Sequence, residues 1–555
     1  MESMAKGRKN SPGNFPEIIT CPSEMVALSM ADGYARASGK PQAVIVHVDV
    51  GTQALGCAVH NAHIARSPVL IFAGLCPATT HGEEKGSRTE FVNWLQDIPD
   101  QSAIVRQYCR YTNEIRSSSN VKEMVNRALQ ISMSDPKGPV YLYAAREVLE
   151  REIKPYKLDQ RFWKPTGPSC LPQDVIEQIA SSLVNANDPL IITGYSGRNL
   201  KTPAELVQLA DTIGGLRVLD TSIGDACFPA DHPAWLSGRY STHPSIEAAD
   251  FILIIDCDVP WVPAKCKVKT DAIIYHVDID PLKRSFPVFY INAIGRWHAD
   301  SYTALKQLNT HLISSGARDS SRLKQAATSR QTTYQSLLKD ISLAGAISNG
   351  SLPLNANRVA ATLKDMCPTN TTWCVEAVTS TFAIYDQLQC TVPGSYISSG
   401  ATGLGWAGGA SLGIKLALNS LGRPSFVVQI IGDGTYMFSM PSSVYWISTR
   451  YSIPVLAIVL SNNGWNAPRI SLELVHPDGV GAHSSNFDLN ISLANPCPDF
   501  AGIAKAASNG RIHTGYAETV GDFKDVLVKA IESVQKGITA VVECRIPGLE
   551  GKNKL

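Results

Sequence analysis

Residues 432 to 443 read GDGTYMFSMPSS and follow the apolar run Ser425 to Ile431. Asp433 stands between Gly432 and Gly434, with the Thr435 hydroxyl beside them. Flanking glycines let backbone amides approach a charged ligand closely. A helix is expected from Pro441, in PSSVYWISTRY, with proline in its first turn and apolar residues at helical spacing. The next strand, Val455 to Leu460, ends in SNNGW. In a parallel sheet both strand ends lie on the carboxyl edge, so Asp433 and an asparagine just past Leu460 can meet. A carboxylate, an amide oxygen, a main-chain carbonyl and phosphate oxygens form the hard, all-oxygen set that magnesium prefers. A lone GDG reads as a surface turn; with NN about thirty residues on, it implies a diphosphate gripped through its metal.

These loops need parallel sheets behind them, and the chain supplies the pattern. Short β-rich runs such as PVLIFAG, PLIITG, DFILIIDCD, AIIYHVDID and PVLAIVLSNN alternate with amphipathic or Ala-rich stretches. Continuous apolar strands joined by helical crossovers imply an α/β fold with sheets covered on both faces. Polar segments at 151–170 and 316–355 read as solvated connections, which divides the chain into three doubly wound domains at 1–160, 168–320 and 350–550. Among 555 residues, Lys+Arg 50 against Asp+Glu 49 gives a net charge of +1, so nothing electrostatic favours nucleic acid or an anionic membrane. The expected partner is a small molecule or another copy of the chain. Thirteen cysteines lie singly with no CxxC pair, which fits a reduced intracellular, cytoplasmic setting. The polar start MESMAKGRKN has no apolar signal core and no run approaches a membrane span. The final NKL loosely matches the SKL type of peroxisomal address, an alternative location.

GDG followed by NN resembles the signature of thiamine diphosphate enzymes, and the likeness extends over nearly the whole chain to the acetolactate synthase and benzoylformate decarboxylase-like superfamily. That resemblance implies a pyrimidine-binding domain, a central domain like a dinucleotide fold, and a diphosphate- and magnesium-binding domain, in that order. It implies Asp433 and one asparagine as metal ligands, with a main-chain carbonyl two residues later. Asn462 with the Gly464 carbonyl is favoured, because GW at 464 and 465 resembles the usual end of the loop; Asn463 with Trp465 is the other register. Gly432, Gly434 and Thr435 would line the diphosphate.

The segment CPSEMVALSMADGYARASGKPQAVIVHVDVG resembles the one in which a glutamate opens a helix and hydrogen-bonds the aminopyrimidine, so Glu24 is the implied catalyst. His47, read in the strand AVIVHVDVG, is separated from Glu24 by 23 residues, like an active-site histidine of benzoylformate decarboxylase. It would shuttle protons, although a single strand histidine is as often structural. The second histidine of that enzyme has no match, the central stretch reading CDVPWVPAK. In SGATGLGWAGG, Leu404 matches the apolar wedge beneath the cofactor, with Gly403 and Gly405 allowing close approach; Thr379 and Ser380 in VEAVTSTF match diphosphate contacts. GYSG in the central unit is not a full dinucleotide fingerprint, so flavin is possible but not supported. Only 23 residues precede Glu24, so the first domain is expected to lack its first βα unit.

The implied activity is that of a lyase or carboligase acting on a 2-keto acid, with decarboxylation followed by protonation or acyloin-type C–C bond formation. It would work as a homodimer or homotetramer with sites between subunits. The alternatives are a 2-hydroxyacyl thioester lyase, a cofactor-binding homologue with weak activity in a structural or regulatory role, and a nicotinamide dehydrogenase, which rests only on the central fold.

Overall fold

The computed structural model describes residues 2–221, 224–289, 291–317 and 320–551; the NKL terminus lies outside them. Three parallel sheets follow one another along the chain. The first contains β1 (Gln42–Val46), β2 (Val69–Leu75), β3 (Tyr111–Glu114) and β4 (Val140–Ala145), in the order β1-β2-β4-β3. The second runs β10-β9-β8-β5-β6-β7, from β5 (Pro189–Thr193), β6 (Arg217–Asp220), β7 (Trp235–Gly238), β8 (Phe251–Ile255), β9 (Ile273–Asp278) and β10 (Gly295–His298). The third runs β12-β11-β13-β14-β16-β15, from β11 (Thr371–Glu376), β12 (Tyr396–Ser398), β13 (Phe426–Gly432), β14 (Leu456–Ser461), β15 (His513–Ala517) and β16 (Ala540–Arg545). Central strands such as FILII in β8 and LAIVLS in β14 are buried at every position, as strands covered on both faces must be. At the edge, β1 alternates instead, and Ile45 is 69% exposed.

Two local expectations are corrected. The segment after Gly316 is no simple connection: Ser321–Ala344 is one helix of 24 residues. Three of its apolar side chains, Leu323, Tyr334 and Ile341, fall on one face at near-integral turns and are buried, with Leu337 and Leu338 partly buried against the same core, while the Tyr334 hydroxyl donates to the Ala230 carbonyl at 2.8 Å. The polar remainder hid that stripe. His47 is not in a strand either, because β1 stops at Val46 and His47 caps the helix Val48–Gln53.

The first and third units meet through the helices Glu24–Ser38 and Trp406–Ser420, which pack so tightly that a Cβ on Gly33 would lie 2.4 Å from the Ala410 carbonyl oxygen. The small residues of ALSMADGYARA therefore serve helix-on-helix contact. A buried ionic knot adds the second unit. The Arg36 side chain, wholly buried, reaches Asp225 at 3.2 Å, the Gly224 carbonyl at 2.7 Å and the Ser398 carbonyl. Arg198 meets Asp225 at 2.8 Å and the Ala65 carbonyl at 2.6 Å. Burial would raise the Asp225 carboxyl, but Arg198 and Arg36 outweigh it and hold the group below the usual carboxylate range.

Candidate active site

In the third sheet the chain moves from β11 outward to β12 and then returns to the other side of β11 at β13. That reversal opens a crevice beyond the carboxyl ends of β11 and β13, where α/β sheets bind ligands. The second sheet reverses likewise between β5 and β8. Both crevices open onto one cavity of about 710 Å³, lined by Glu376 at the end of β11, Gly432–Thr435 at and beyond the end of β13, Asn462 and Gly464–Trp465 after β14, and Tyr195 and Asp258 from the second sheet.

Asp433 sits at the head of the helix Asp433–Phe438 and is 2% exposed. Its carboxylate accepts from the Gly434 amide at 2.7 Å and the Asn462 amide at 2.9 Å. No cation among the described residues lies within ion-pair range. Burial raises its pKa and the surrounding amides, Gly434 first, pull it back. A buried carboxylate with amide donors on one side, no cation, and an open cavity on the other suits a divalent metal. The two asparagines part company here. Asn462 lines the cavity, and its side-chain oxygen accepts from the Gly464 amide at 3.1 Å. Asn463 has φ 62°, and its side-chain oxygen is taken by Arg545 of β16 and by the Cys497 thiol at 3.4 Å. Among the described residues no cluster of three His, Cys, Asp or Glu gathers, and the expected ligand set contains just one such side chain.

The glycines beside Asp433 have different neighbours. A Cβ on Gly434 would lie 2.2 Å from the Trp465 ring, whereas one on Gly432 would meet nothing nearer than the Thr435 hydroxyl at 3.9 Å. Leu404 reaches the cavity from a loop held on three sides. Asn61 exchanges hydrogen bonds with both the Gly403 carbonyl, at 2.8 Å, and the Gly403 amide, at 3.0 Å; His60 lies 3.2 Å from Thr402. Gly403 itself is outside the cavity wall. Thr379 lines it, while Ser380 caps the helix Thr381–Leu388 and does not. Beside them Val378 is held at φ 46°, a left-handed conformation that costs a β-branched residue about 1–3 kcal/mol.

Glu24 begins its helix as expected but does not line this cavity; its carboxyl lies near Gly51, in the first unit. The next residue, Met25, touches the Gly405 position behind Leu404. His47 is exposed, 3.2 Å from the Gln96 amide nitrogen, and also lies outside the cavity wall.

Sequence reasoning missed Glu376. It ends the buried strand TTWCVE, lines the cavity, and accepts from the Gly405 amide at 3.0 Å and the Ala407 amide at 2.7 Å, pinning the turn that carries Leu404. Burial pushes its carboxyl up to about 8 against the pull of those amides. A glutamate closing an otherwise apolar strand was the available signal.

Three family models match the chain in order: the N-terminal TPP binding domain of thiamine pyrophosphate enzymes over 5–104, their central domain over 176–287 and their C-terminal TPP binding domain over 377–544. The chain belongs to the thiamine pyrophosphate-dependent enzyme superfamily. It is 23% identical to benzoylformate decarboxylase from Pseudomonas aeruginosa, over 92% of this chain and 89% of that one. It is likewise 23% identical to the acetolactate synthase isozyme 3 large subunit of Escherichia coli, over 95% and 87%. Among solved structures, benzoylformate decarboxylase from Polynucleobacter necessarius superposes with a TM-score of 0.77 at 19% identity, covering 97% of this chain and 94% of that one, a likeness of fold. In this thiamine pyrophosphate enzyme, Glu24 and His47 fall within the N-terminal match and Asp433 and Asn462 within the C-terminal one; Glu376 lies one residue before it.

Proposed function

We propose that this chain is a thiamine diphosphate- and magnesium-dependent lyase or carboligase acting on a 2-keto acid. The observation that carries the reading is Asp433, a buried carboxylate with no cation partner among the described residues, which sits at the switch point of the third sheet, accepts from the Asn462 amide at 2.9 Å and lines an open cavity together with Asn462. Asp433, Asn462 and the Gly464 carbonyl would hold magnesium, which tethers the diphosphate beside Gly432, Gly434 and Thr435. When bound, thiamine diphosphate supplies a nucleophilic carbon and an electron sink for the bond that breaks in the keto acid.

The protein's share is binding, orientation and proton control. Leu404, stiffened by Asn61 and Glu376, supplies an apolar prop in the cavity wall. The aromatic side chains Tyr195, Tyr240 and Phe286 would give the substrate an apolar far wall. Glu24 would hold a proton at the pyrimidine end. Because that carboxyl is absent from the wall of its own chain's cavity, a second copy of the chain is the natural source of it, which favours a dimer or tetramer with shared sites. Residues 1–160, 168–320 and 350–550 would then be the pyrimidine-binding, central and diphosphate-binding domains.

The test is calorimetry of the full chain with thiamine diphosphate and magnesium, together with carbon dioxide release from a panel of 2-keto acids. Saturable cofactor uptake that requires the metal, and release that requires both, are expected. Absence of any heat with cofactor plus metal refutes the cofactor reading, and cofactor uptake without turnover refutes the enzymatic one.

A further inference from the structure

A second cavity, of about 300 Å³, adjoins the first, and the two share Ile64, Asp258 and Phe286 in their walls. It lies between the first and second units. Arg110 comes from just before β3, Lys137 from just before β4, and Arg284 from the turn after β9.

The charges around it fall into two groups. Arg66 and Lys283 are already matched: Arg66 meets Asp258 at 2.7 Å and Asp256 and Asp278 at 3.4 Å, and Lys283 meets Asp278 at 2.5 Å and Asp258 at 2.8 Å. Arg110, Lys137 and Arg284 are not. Among the described residues neither Arg110 nor Lys137 has an ion-pair partner, and Arg284 has only a 3.5 Å contact with Asp280 from a guanidinium that is 74% exposed. The Nη1 atom of Arg110 is buried without a hydrogen-bond partner. Burial lowers the Arg110 pKa and the neighbouring Arg284 charge lowers it further, with Asp280 and Asp135 only partly opposing. Asp135, behind Lys137, is itself raised by burial. Two guanidinium groups that repel one another beside an open space, one of them with an unused buried donor, are in an uphill arrangement that a multivalent anion between them would reverse. Phosphate suits it best, since its oxygens accept from two planar forks at once.

We infer that this smaller cavity is a phosphate-binding subsite, built by Arg110, Lys137 and Arg284 and continuous with the active-site cavity. The subsite stands on the charges around it; only its link to substrate rests on the proposed function. The phosphate is carried either by the far end of the substrate or by a separate small molecule.

Pyrophosphate titrated calorimetrically into the full chain, loaded with thiamine diphosphate and magnesium and then freed of unbound metal, in phosphate-free buffer, should bind at one site. Arg284→Ala, at an exposed position that leaves folding undisturbed, and Arg110→Ala should each weaken it about tenfold or more, the loss of one charge-assisted contact, while cofactor affinity stays the same. No pyrophosphate binding, or binding that neither variant weakens, overturns the subsite. Should the chain take up no cofactor, the functional reading fails by itself, and the Arg284-sensitive part of the pyrophosphate isotherm still decides this one. Pyrophosphate that raises the KM for the 2-keto acid at constant kcat assigns the phosphate to the substrate; an unchanged KM assigns it to a separate ligand.

Discussion

Alanine at Gly434 and at Gly432, made singly, separates two reasons for a glycine to stand beside Asp433. At Gly434 the new Cβ would lie 2.2, 2.6 and 2.7 Å from three atoms of the Trp465 ring, so the ring must move. It has little room: Trp465 packs edge-on against Phe438 with centroids 5.7 Å apart, and its amide is tied to the Ile491 carbonyl at 2.8 Å. The strain therefore passes to the loop that presents Asn462. Overpacking of this kind costs about 1–3 kcal/mol. If the loop relaxes into its binding position only on taking up ligand, that cost becomes a loss of about 5- to 150-fold in affinity for thiamine diphosphate with magnesium. At Gly432 the backbone is extended, φ −74° and ψ 157°, and a methyl group would project toward empty space. Gly432→Ala should therefore leave the unfolding of the cofactor-free chain unchanged while weakening cofactor binding, because the methyl takes the diphosphate's room. Calorimetric titration at saturating magnesium, paired with thermal unfolding, reads both effects. Wild-type affinity in Gly432→Ala would show that nothing occupies the space beside it, and an unaltered Gly434→Ala would remove Trp465 and its loop from the grip.

Glu24→Gln should keep cofactor binding but slow proton exchange at the thiazolium about 10²- to 10⁴-fold, followed by deuterium exchange in NMR; an unchanged rate removes Glu24 from the mechanism. The pH dependence of the metal site follows from Asp433, whose pKa burial raises. A raised acid favours the folded, metal-free chain in its protonated form, a contribution present below the unfolded value and lost as pH climbs through the raised one. Magnesium needs the carboxylate, so its affinity should rise across that window with proton release, and a pH-independent affinity would refute the assignment; Asp433→Ala should lose metal and cofactor together. Asp225→Ala should destabilise the cofactor-free chain by about 3–5 kcal/mol, because it leaves Arg36 buried and without its counter-charge, and a change under about 1 kcal/mol in chemical unfolding would contradict the knot.

What the sequence disclosed and what it withheld divide along a physical line. Parallel strands buried on both faces write themselves as unbroken apolar runs, so β8, β13 and β14 were legible, and with them the carboxyl edge where Asp433 and Asn462 meet. The helix Ser321–Ala344 was not, because only three of its 24 residues, Leu323, Tyr334 and Ile341, are buried, and they are spaced among polar side chains that stay wet. The choice between Asn462 and Asn463 rested on resemblance, since spacing alone tolerates either; it takes the αL turn at Asn463 and the Arg545 side chain arriving from β16 to orient them differently. Glu376 escaped for a related reason. Its meaning lies in two amides some thirty residues away, at the head of the Trp406–Ser420 helix, and no local pattern encodes that meeting. The same holds for the basic subsite, where Arg110 and Lys137 flank two strands of the first sheet, Arg284 follows a strand of the second, and each reads alone as an ordinary surface charge. Chemistry set on consecutive strand ends of one sheet is thus recoverable from spacing, whereas chemistry assembled between domains emerges only once helices such as Glu24–Ser38 and Trp406–Ser420 have locked the units together.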